Sequence, residues 1–498
     1  MILSFFLFFF MLFRRRSGRT AWPPGPWTMP IIGSLHHFLR GTPHHIVTEL
    51  SHKHGPLMHL RLGQLDVIVA SSTEMAKAIT MTHDTNFAFR PDLIAGRIIT
   101  YNNVNISLAP YGGYWRQMRK LCMVELLNTR RVKAMHPIRA QEFFNLFERI
   151  AAAAGSAVNF TQEMFTFANT MTAKATFGME SKHGQRFISA SKRSLELGSA
   201  FNLAELFPSV SFIERLTGLK ARTPRVHQEM DQILDDIIET HEAMKKSGIH
   251  GSSDEGMEKE GILDVMWRIK AQGDLEIPLT MDNVKSVLLD MYVGGTDTTA
   301  MTLTWAMTEL IRNPKVMQKA QEEVRHGFKG KSIIDEEDIK DLHYLKLVIK
   351  ETMRLHMPVP FLIPRESSEA CKIGDYEIPA GTRVLINAWG IGRDPKYWDN
   401  PESFMPERFD GNQIDFKGTN YEFLPFGAGR RICPGIGFGV ANLEFALAHL
   451  LFYFNWELPA GVKPEDLDMT EILGLTAAKK LDVYLIATPY ASLPKPID

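Results

Sequence analysis

FLPFGAGRRICPGIGFG, residues 423–439, sets Cys433, one of the chain's three cysteines, between two arginines and a proline at the mouth of an apolar run. Val440, Leu443, Leu447 and Leu450 follow at helical spacing, so a helix is predicted just after Cys433, with Pro434 near its first turn. A cysteine at a helix N-terminus meets the positive end of the dipole and unpaired N–H groups, both of which favour thiolate over thiol. Arg430 and Arg431 add to that. Gly427, Gly429, Gly435, Gly437 and Gly439 carry no Cβ, so the backbone can approach something flat or bulky. A soft thiolate in such a loop suits iron. An isolated cysteine reads more simply as a small buried thiol, and it is the surrounding pattern that favours the ligand.

Working outward, the stretch from Thr280, a candidate N-cap, to Asn313 and Pro314, a candidate stop, predicts one helix of about 50 Å that must cross the whole domain. Gly294 and Gly295 lie inside it, each costing up to about 1 kcal/mol there, and such broken local rules tend to mark function. The alternative is a Thr-rich packed helix with a glycine contact. In LHYLKLVIKETMRLH, Glu351 and Arg354 stand at i, i+3 and share a face.

Residues 426–435, FGAGRRICPG, resemble the haem-binding signature FxxGxRxCxG of the cytochrome P-450 superfamily, with Phe426, Gly429, Arg431, Cys433 and Gly435 in place. ETMR (351–354) is similar to the family's ExxR, and PERF (406–409) supplies the Arg408 that completes its Glu-Arg-Arg cluster. GGTDTT (294–299) resembles the oxygen-activating segment, and WRQMR (115–119) the WxxxR that reaches a haem propionate. The resemblance spans essentially the whole chain and is greatest to the plant microsomal A-type group.

The resemblance implies a mainly α fold with small β-sheets, haem b lying between the long central helix and the helix after the cysteine loop. Cys433 is then the iron's axial ligand, whose electron donation weakens the O–O bond of dioxygen. Asp297 is the expected proton source and Thr298 the relay, its hydroxyl bonding back one turn to open a groove in the helix. Trp115, Arg119, Arg365 and Arg431 are candidates for the propionates, a surface role for Arg365 staying open. Glu351, Arg354 and Arg408 are assigned to structure. Ile106, Met291, Gly294, Val359, Leu362 and Leu475, in apolar segments near the haem by family analogy, are candidate substrate contacts.

The implied activity is insertion of one oxygen atom from dioxygen into a lipophilic small molecule such as a terpenoid. Electrons would come from NADPH through a separate NADPH-cytochrome P-450 reductase. No strand leads into GIGFGVAN (435–442), so it is no dinucleotide fingerprint and the chain lacks its own flavin or nicotinamide domain. The alternative is a haem-thiolate isomerase or dehydratase needing neither dioxygen nor reductase, and a third reading is a haem sensor. Arg116, Lys120, Arg130 and Arg131 form either a basic patch for an acidic reductase or a plain solvated face.

At 498 residues with 45% hydrophobic and 23% charged residues, the chain can bury a sizeable core, and no repeat or long linker divides it. A net charge of -1 gives no field to gather nucleic acid. Cys122, Cys371 and Cys433 are too few and too far apart for a disulfide framework, which points to a reducing compartment. Residues 1–20 open on MILSFFLFFFMLF and continue into RRRSGR. The apolar run spans about 20 Å as a helix against a hydrocarbon core of roughly 30 Å, a lean anchor that a truncated start would explain. The arginines hold the rest of the chain on the cytoplasmic side, so the expected place is the endoplasmic reticulum membrane. An interfacial helix is the alternative. Residues 21–33 read as a proline-stiffened hinge and 34–498 as the catalytic domain.

LMHLRLG (57–63) with DVIVAS (66–71), and KIGDYEI with TRVLINA around Pro379-Ala380-Gly381, are expected to form two hairpins. KKSGIHGSSDEGMEKEG (245–261) reads as a surface loop. His36, His37, His44, His45, His52 and His54 cluster without i, i+4 pairing or a carboxylate partner in sequence, and read as a solvated loop.

Overall fold

The central helix, Met281–Arg312, forms where its caps place it. Thr280 Oγ1 accepts from the Asn283 N–H at 3.2 Å, Asn283 Oδ1 accepts from the Thr280 N–H at 2.8 Å, and Pro314 starts the next helix. A helix threading a core must hide its hydroxyls. Thr302, Thr304 and Thr308 do so by donating to the carbonyls of Thr298, Ala300 and Thr304 at 2.7–2.8 Å. The residues around them are buried almost without interruption, against helices Phe160–Phe177, His343–Leu355 and Ile436–Tyr453. Ile436–Tyr453 is apolar enough to cross a membrane, and it is spent instead on this core.

The computed structural model describes residues 22–178, 184–198, 202–246, 260–331, 334 and 336–491. The apolar N-terminal run and most of the polar stretch 245–261 lie outside the described residues.

The fold is mainly helical with small sheets. Leu57–Leu62 and Leu65–Ala70 pair antiparallel through a turn at Gly63, where φ is +60°. The second expected hairpin is drawn differently. Cys371–Ile373 pairs with Tyr376–Ile378 across the two-residue Gly374–Asp375 turn, Gly374 having φ +58°, so KIGDYEI is a hairpin by itself. Arg383–Ile386 leaves it to run parallel to Leu65–Ala70 and antiparallel to Arg365–Glu366, completing a four-stranded sheet. A further hairpin, Glu471–Leu473 with Ala477–Lys479, contacts the central helix.

The proline-rich segment is extended but does not stand off as a free spacer. Trp22 stacks on His59 at 4.4 Å, the His59 N–H donates to Pro24 O at 2.9 Å, and a Cβ on Gly25 would lie 2.0 Å from His59 O.

Candidate functional site

Residues 426–435 close on themselves: the Cys433 N–H donates to Phe426 O at 2.9 Å. Gly429 must be glycine, since its φ is +70° and a Cβ would stand 2.1 Å from Thr80 O. The helix starts at Ile436, leaving Pro434 outside it, and the Gly435 N–H donates to Cys433 Sγ at 3.3 Å. Burial pushes the Cys433 thiol up, opposed by that N–H and by the charge of Arg119. The cationic help thus comes from Arg119 rather than from Arg430 and Arg431. Arg430 lies half-exposed with its Nε 3.4 Å from Asp84 Oδ2, and Arg431 turns to three backbone carbonyls.

Those carbonyls belong to Ala88, Ile106 and Ala109, at 2.8, 3.2 and 2.5 Å, while the Arg431 guanidinium lies 4.3 Å from the ring centre of Trp115. The Trp115 N–H is itself donated to Ile106 O at 3.0 Å, so Trp115 positions Arg431 and the loop. Arg365 is buried, which removes the surface role. It donates to Ala428 O at 2.9 Å and Phe87 O at 3.4 Å and lies 3.5 Å from Asp84 Oδ1, buttressing the cysteine loop. Burial, then the charges of Arg365 and Arg119, lower Arg431 to about 9. Arg90, which the motifs did not single out, joins the cluster by donating to Ser107 O, Ile363 O and Pro364 O at 2.6–3.0 Å.

Haem fits this site. Arg90, Arg119 and Arg431 have no carboxylate within ion-pair distance among the described residues, and Arg119 has no hydrogen-bond partner there either. A cluster so rich in cations suits two propionates. Gly437, near the start of the helix after Cys433, and Gly294, on the central helix, both face open space: beyond their own chain neighbours and helix backbone, no described atom lies within 4 Å of where a Cβ would stand.

Gly294 and Gly295 serve different purposes on the central helix. A Cβ on Gly295 would meet Thr172 Cγ2 at 2.9 Å and a Phe438 ring carbon at 3.1 Å, so this glycine permits the approach of the helix that follows Cys433. Gly294 is exposed although its helix is otherwise interior, so it borders an open space. Thr298 Oγ1 donates to Gly294 O at 2.6 Å, the expected back-bond, yet the helix runs through unbroken. Asp297 is 8% exposed, its carboxyl pushed up by burial and pulled down by the Thr476 hydroxyl, which donates to Oδ2 at 3.0 Å.

Away from the cradle, Glu351 and Arg354 are both fully buried. Glu351 Oε1 accepts from Arg354 at 2.8 Å, from Arg408 at 2.9 Å and from the Met405 N–H at 2.8 Å. Arg354 also donates to Gly392 O, Pro401 O and Ser403 O at 2.7–3.2 Å, so the cluster staples the irregular chain of 392–408 to its helix.

The cytochrome P450 family model matches residues 23–485. The chain belongs to the cytochrome P450 family. This P450 is 46% identical over 495 residues to premnaspirodiene oxygenase of Hyoscyamus muticus, covering 98% of both chains. It is 48% identical over 482 residues to desmethyl-deoxy-podophyllotoxin synthase of Sinopodophyllum hexandrum, covering 96% of this chain and 94% of the relative. These relatives place it in the plant A-type group. A zebra fish cytochrome P450 solved with progesterone shares the fold, with TM-score 0.76 over 90% of this chain and 100% of that one at 24% identity. The P450 is a haem-thiolate monooxygenase of specialised metabolism.

Two features of this P450 escaped the motifs. Asp290, on the central helix, receives four hydrogen bonds at 2.7–3.0 Å from the Asn105 side chain, the Ile106 and Ser107 N–H groups and the Ser107 hydroxyl. It thereby fixes the loop carrying Ile106, which is itself buried in the core, beside three successive left-handed residues, Tyr101, Asn102 and Asn103, with φ of 53°, 67° and 58°. Of the other candidate substrate contacts, Met291, Val359, Leu362 and Leu475 are half-buried; Leu362 has φ +54°, and its Cδ1 would lie 3.6 Å from a Cβ on Gly427.

The histidines are the second feature: His44, His45, His52 and His54 lie on a helix rather than in a loop, and His44 is not solvated either. His44 is 0% exposed on helix Pro43–His54, and its Nε2 lies 2.6 Å from Glu471 Oε2. His45 Nε2 lies 3.6 Å from the same oxygen, and His356 Nδ1 3.7 Å from Glu471 Oε1. The partner carboxylate is remote in sequence. In the basic patch, Arg116, Lys120 and Arg130 are exposed, whereas Arg131 pairs with Glu260 at 2.9 Å.

Proposed function

We propose that this P450 oxygenates terpenoid-like lipophilic molecules at the endoplasmic reticulum membrane, with electrons passed from NADPH by a separate cytochrome P450 reductase. The observation that supports the reading is the packing of the helix that follows Cys433 against the helix that bears the acid and alcohol Asp297 and Thr298 next to an exposed Gly294. When bound, haem supplies activation of dioxygen and transfer of one oxygen atom. The balance is RH plus dioxygen plus two electrons and two protons, giving ROH and water. Protons are therefore what the chain must deliver. Asp297, buried and pushed toward its neutral form, can hold a proton beside Thr298, whose hydroxyl can pass it toward the open space at Gly294. Cys433 would hold the iron of a bound haem, and Arg119 and Arg431 would hold its propionates.

The apolar segments around Ile106, Val359, Leu362 and Leu475 support a hydrocarbon-rich substrate over a sugar or nucleotide. The curated relative that oxygenates premnaspirodiene supports the same class. Membranes carrying this P450 and a plant reductase, given a terpenoid and phenolic library, NADPH and heavy dioxygen, test it. A product bearing one heavy oxygen only when NADPH is present is the expected result. An unlabelled product formed without NADPH would establish the isomerase or dehydratase. In the same assay Thr298→Ala should divert electrons to peroxide, lowering product per NADPH by about tenfold or more. Unchanged coupling would remove the relay.

Membrane association draws support from an exposed apolar face. Trp27, Leu39, Phe212 and Leu216 are 64–87% exposed. They share one side, since Ile32, Phe38, Val210 and Ile213 pack into a common cluster beneath them. This face adjoins the start of the described chain, where the N-terminal apolar run would enter the bilayer. In a chain lacking residues 1–21, Phe212→Asp with Leu216→Asp should lower co-sedimentation with phospholipid vesicles at least about tenfold, each apolar side chain being worth roughly 1.5–3 kcal/mol. Undiminished sedimentation would detach this face from the membrane. The exposed Arg116, Lys120 and Arg130 are the proposed contacts for an acidic reductase.

A further inference from the structure

Asp297 has one hydrogen-bonding partner among the described residues, and it comes from far along the chain. Thr476 Oγ1 donates to Asp297 Oδ2 at 3.0 Å, and each residue is 8% exposed. Thr476 follows the tip of the hairpin formed by Glu471–Leu473 and Ala477–Lys479. Within the turn the Gly474 N–H donates to Thr476 O at 3.0 Å, and next to it the Ala477 N–H donates to Pro358 O at 2.9 Å. Both backbone neighbours of the hydroxyl are thus pinned.

The base of the hairpin is pinned as firmly, and to the same helix. Glu471 is the carboxylate on which His44 and His45 converge, with His356 on its other oxygen. His356 Nε2 donates to Glu309 Oε1 at 2.7 Å, and its ring stacks on Trp305 with ring centres 3.9 Å apart. Lys479, opposite Glu471 in the hairpin register, holds its ammonium 4.6 Å from the Trp305 ring centre. Trp305 and Glu309 belong to the helix that carries Asp297, eight and twelve residues further on. A hairpin tied at one end to Trp305 spans the roughly 12 Å of helix back to Asp297. Its other end delivers a hydroxyl to the carboxyl.

We infer that Thr476 is a positioning residue for proton delivery, holding Oδ2 of Asp297 so that Oδ1 stays free to exchange protons, and that the Glu471 clamp sets the register of that contact. The inference rests on the proton-source reading of Asp297. Thr476 keeps its own proton throughout: it donates a hydrogen bond, and the two protons consumed per oxygen atom inserted pass through Asp297. A buried carboxyl without a donor swings toward any other polar group and favours its neutral form, so losing the hydroxyl disturbs both its aim and its proton affinity.

The test uses the full haem-loaded chain with reductase and the substrate found in the heavy-dioxygen assay, comparing Thr476→Val, Thr476→Ser and Asp297→Asn. Valine keeps the shape and removes the donor. Thr476→Val should lower product per NADPH by about tenfold while the substrate's spectral dissociation constant stays within about twofold. Thr476→Ser should restore coupling. Infrared difference spectra of the substrate-free protein give a second readout: the carboxyl band that disappears in Asp297→Asn should shift in Thr476→Val and return in Thr476→Ser. Full coupling in Thr476→Val, or a loss that serine does not repair, overturns the inference, as does an unshifted band. If Asp297→Asn uncouples and Thr476→Val does not, only this inference fails. If Asp297→Asn itself stays coupled, the proton-source reading falls and this inference with it.

Discussion

Cys433→Ala is expected to abolish the thiolate-type carbon monoxide difference band and bring oxygenation to background. The loop is built to present one atom: Phe426 O holds the Cys433 N–H at 2.9 Å, Gly435 donates to the sulfur at 3.3 Å, and Gly429 takes a left-handed turn no larger residue fits. Alanine keeps the bond to Phe426 O and the Gly429 turn and loses only the sulfur with its Gly435 contact, so the chain should still fold. The difference spectrum of membranes, read beside total haem, is the measurement. Neither other cysteine can stand in. Cys122 is packed into the core just after helix Gly113–Leu121 and Cys371 sits in a hairpin strand, so neither belongs to the glycine-rich loop of 427–439. A thiolate band surviving in Cys433→Ala would relocate the ligand and undo the site.

Glu351→Ala should be nearly as damaging, by way of folding rather than chemistry. Its Oε1 atom serves two guanidiniums and a backbone N–H, and its removal leaves Arg354 and Arg408 inside the protein without a carboxylate. Stranding a buried charge costs roughly 3–5 kcal/mol. That is a large share of the about 5–15 kcal/mol that holds a typical domain together. Because the same cluster ties down the chain of 392–408, which leads toward the cysteine loop, the expected result is a protein recovered with little or no haem. Haem per chain and proteolytic nicking between 392 and 408 measure it. Normal haem loading with an intact segment would show that the cluster is dispensable.

The features legible in the amino-acid sequence are local ones. The Cys433 loop, the caps of Met281–Arg312 and the shared face of Glu351 and Arg354 each depend on residues a few positions apart. Partnership at a distance leaves no such trace. Asp290 lies in a helical pattern where an acid passes for a solvent-facing residue, and its donors are 183 to 185 residues away. His44 gives no local hint of Glu471, 427 positions on. The charge of Arg119 rather than of Arg430 or Arg431 acts on Cys433 because the helix Gly113–Leu121 meets the loop through Trp115 and Arg431, whereas the two nearer arginines turn to Asp84 and to carbonyls. The hairpin at 371–378 is legible in its Gly374–Asp375 turn, but the adjacent Pro379-Ala380-Gly381 is the louder breaker and draws the expected boundary to the wrong place.

The arginine cluster has a consequence for how much enzyme a cell can keep. Burial lowers the proton affinity of Arg90, Arg365 and Arg431; the charge of Arg365 lowers Arg90 and Arg431 further, and Asp84 opposes the shift at Arg365 and Arg431. A newly made chain must hold those like charges together unaided until a dianionic prosthetic group arrives. A ligand that binds only the folded chain, present at about 1,000 times its dissociation constant, adds about 4 kcal/mol of stability. Chains made faster than haem is supplied forgo that margin and spend longer open to proteases. Abundance of this enzyme is therefore expected to follow haem supply through the charge pattern of its own interior.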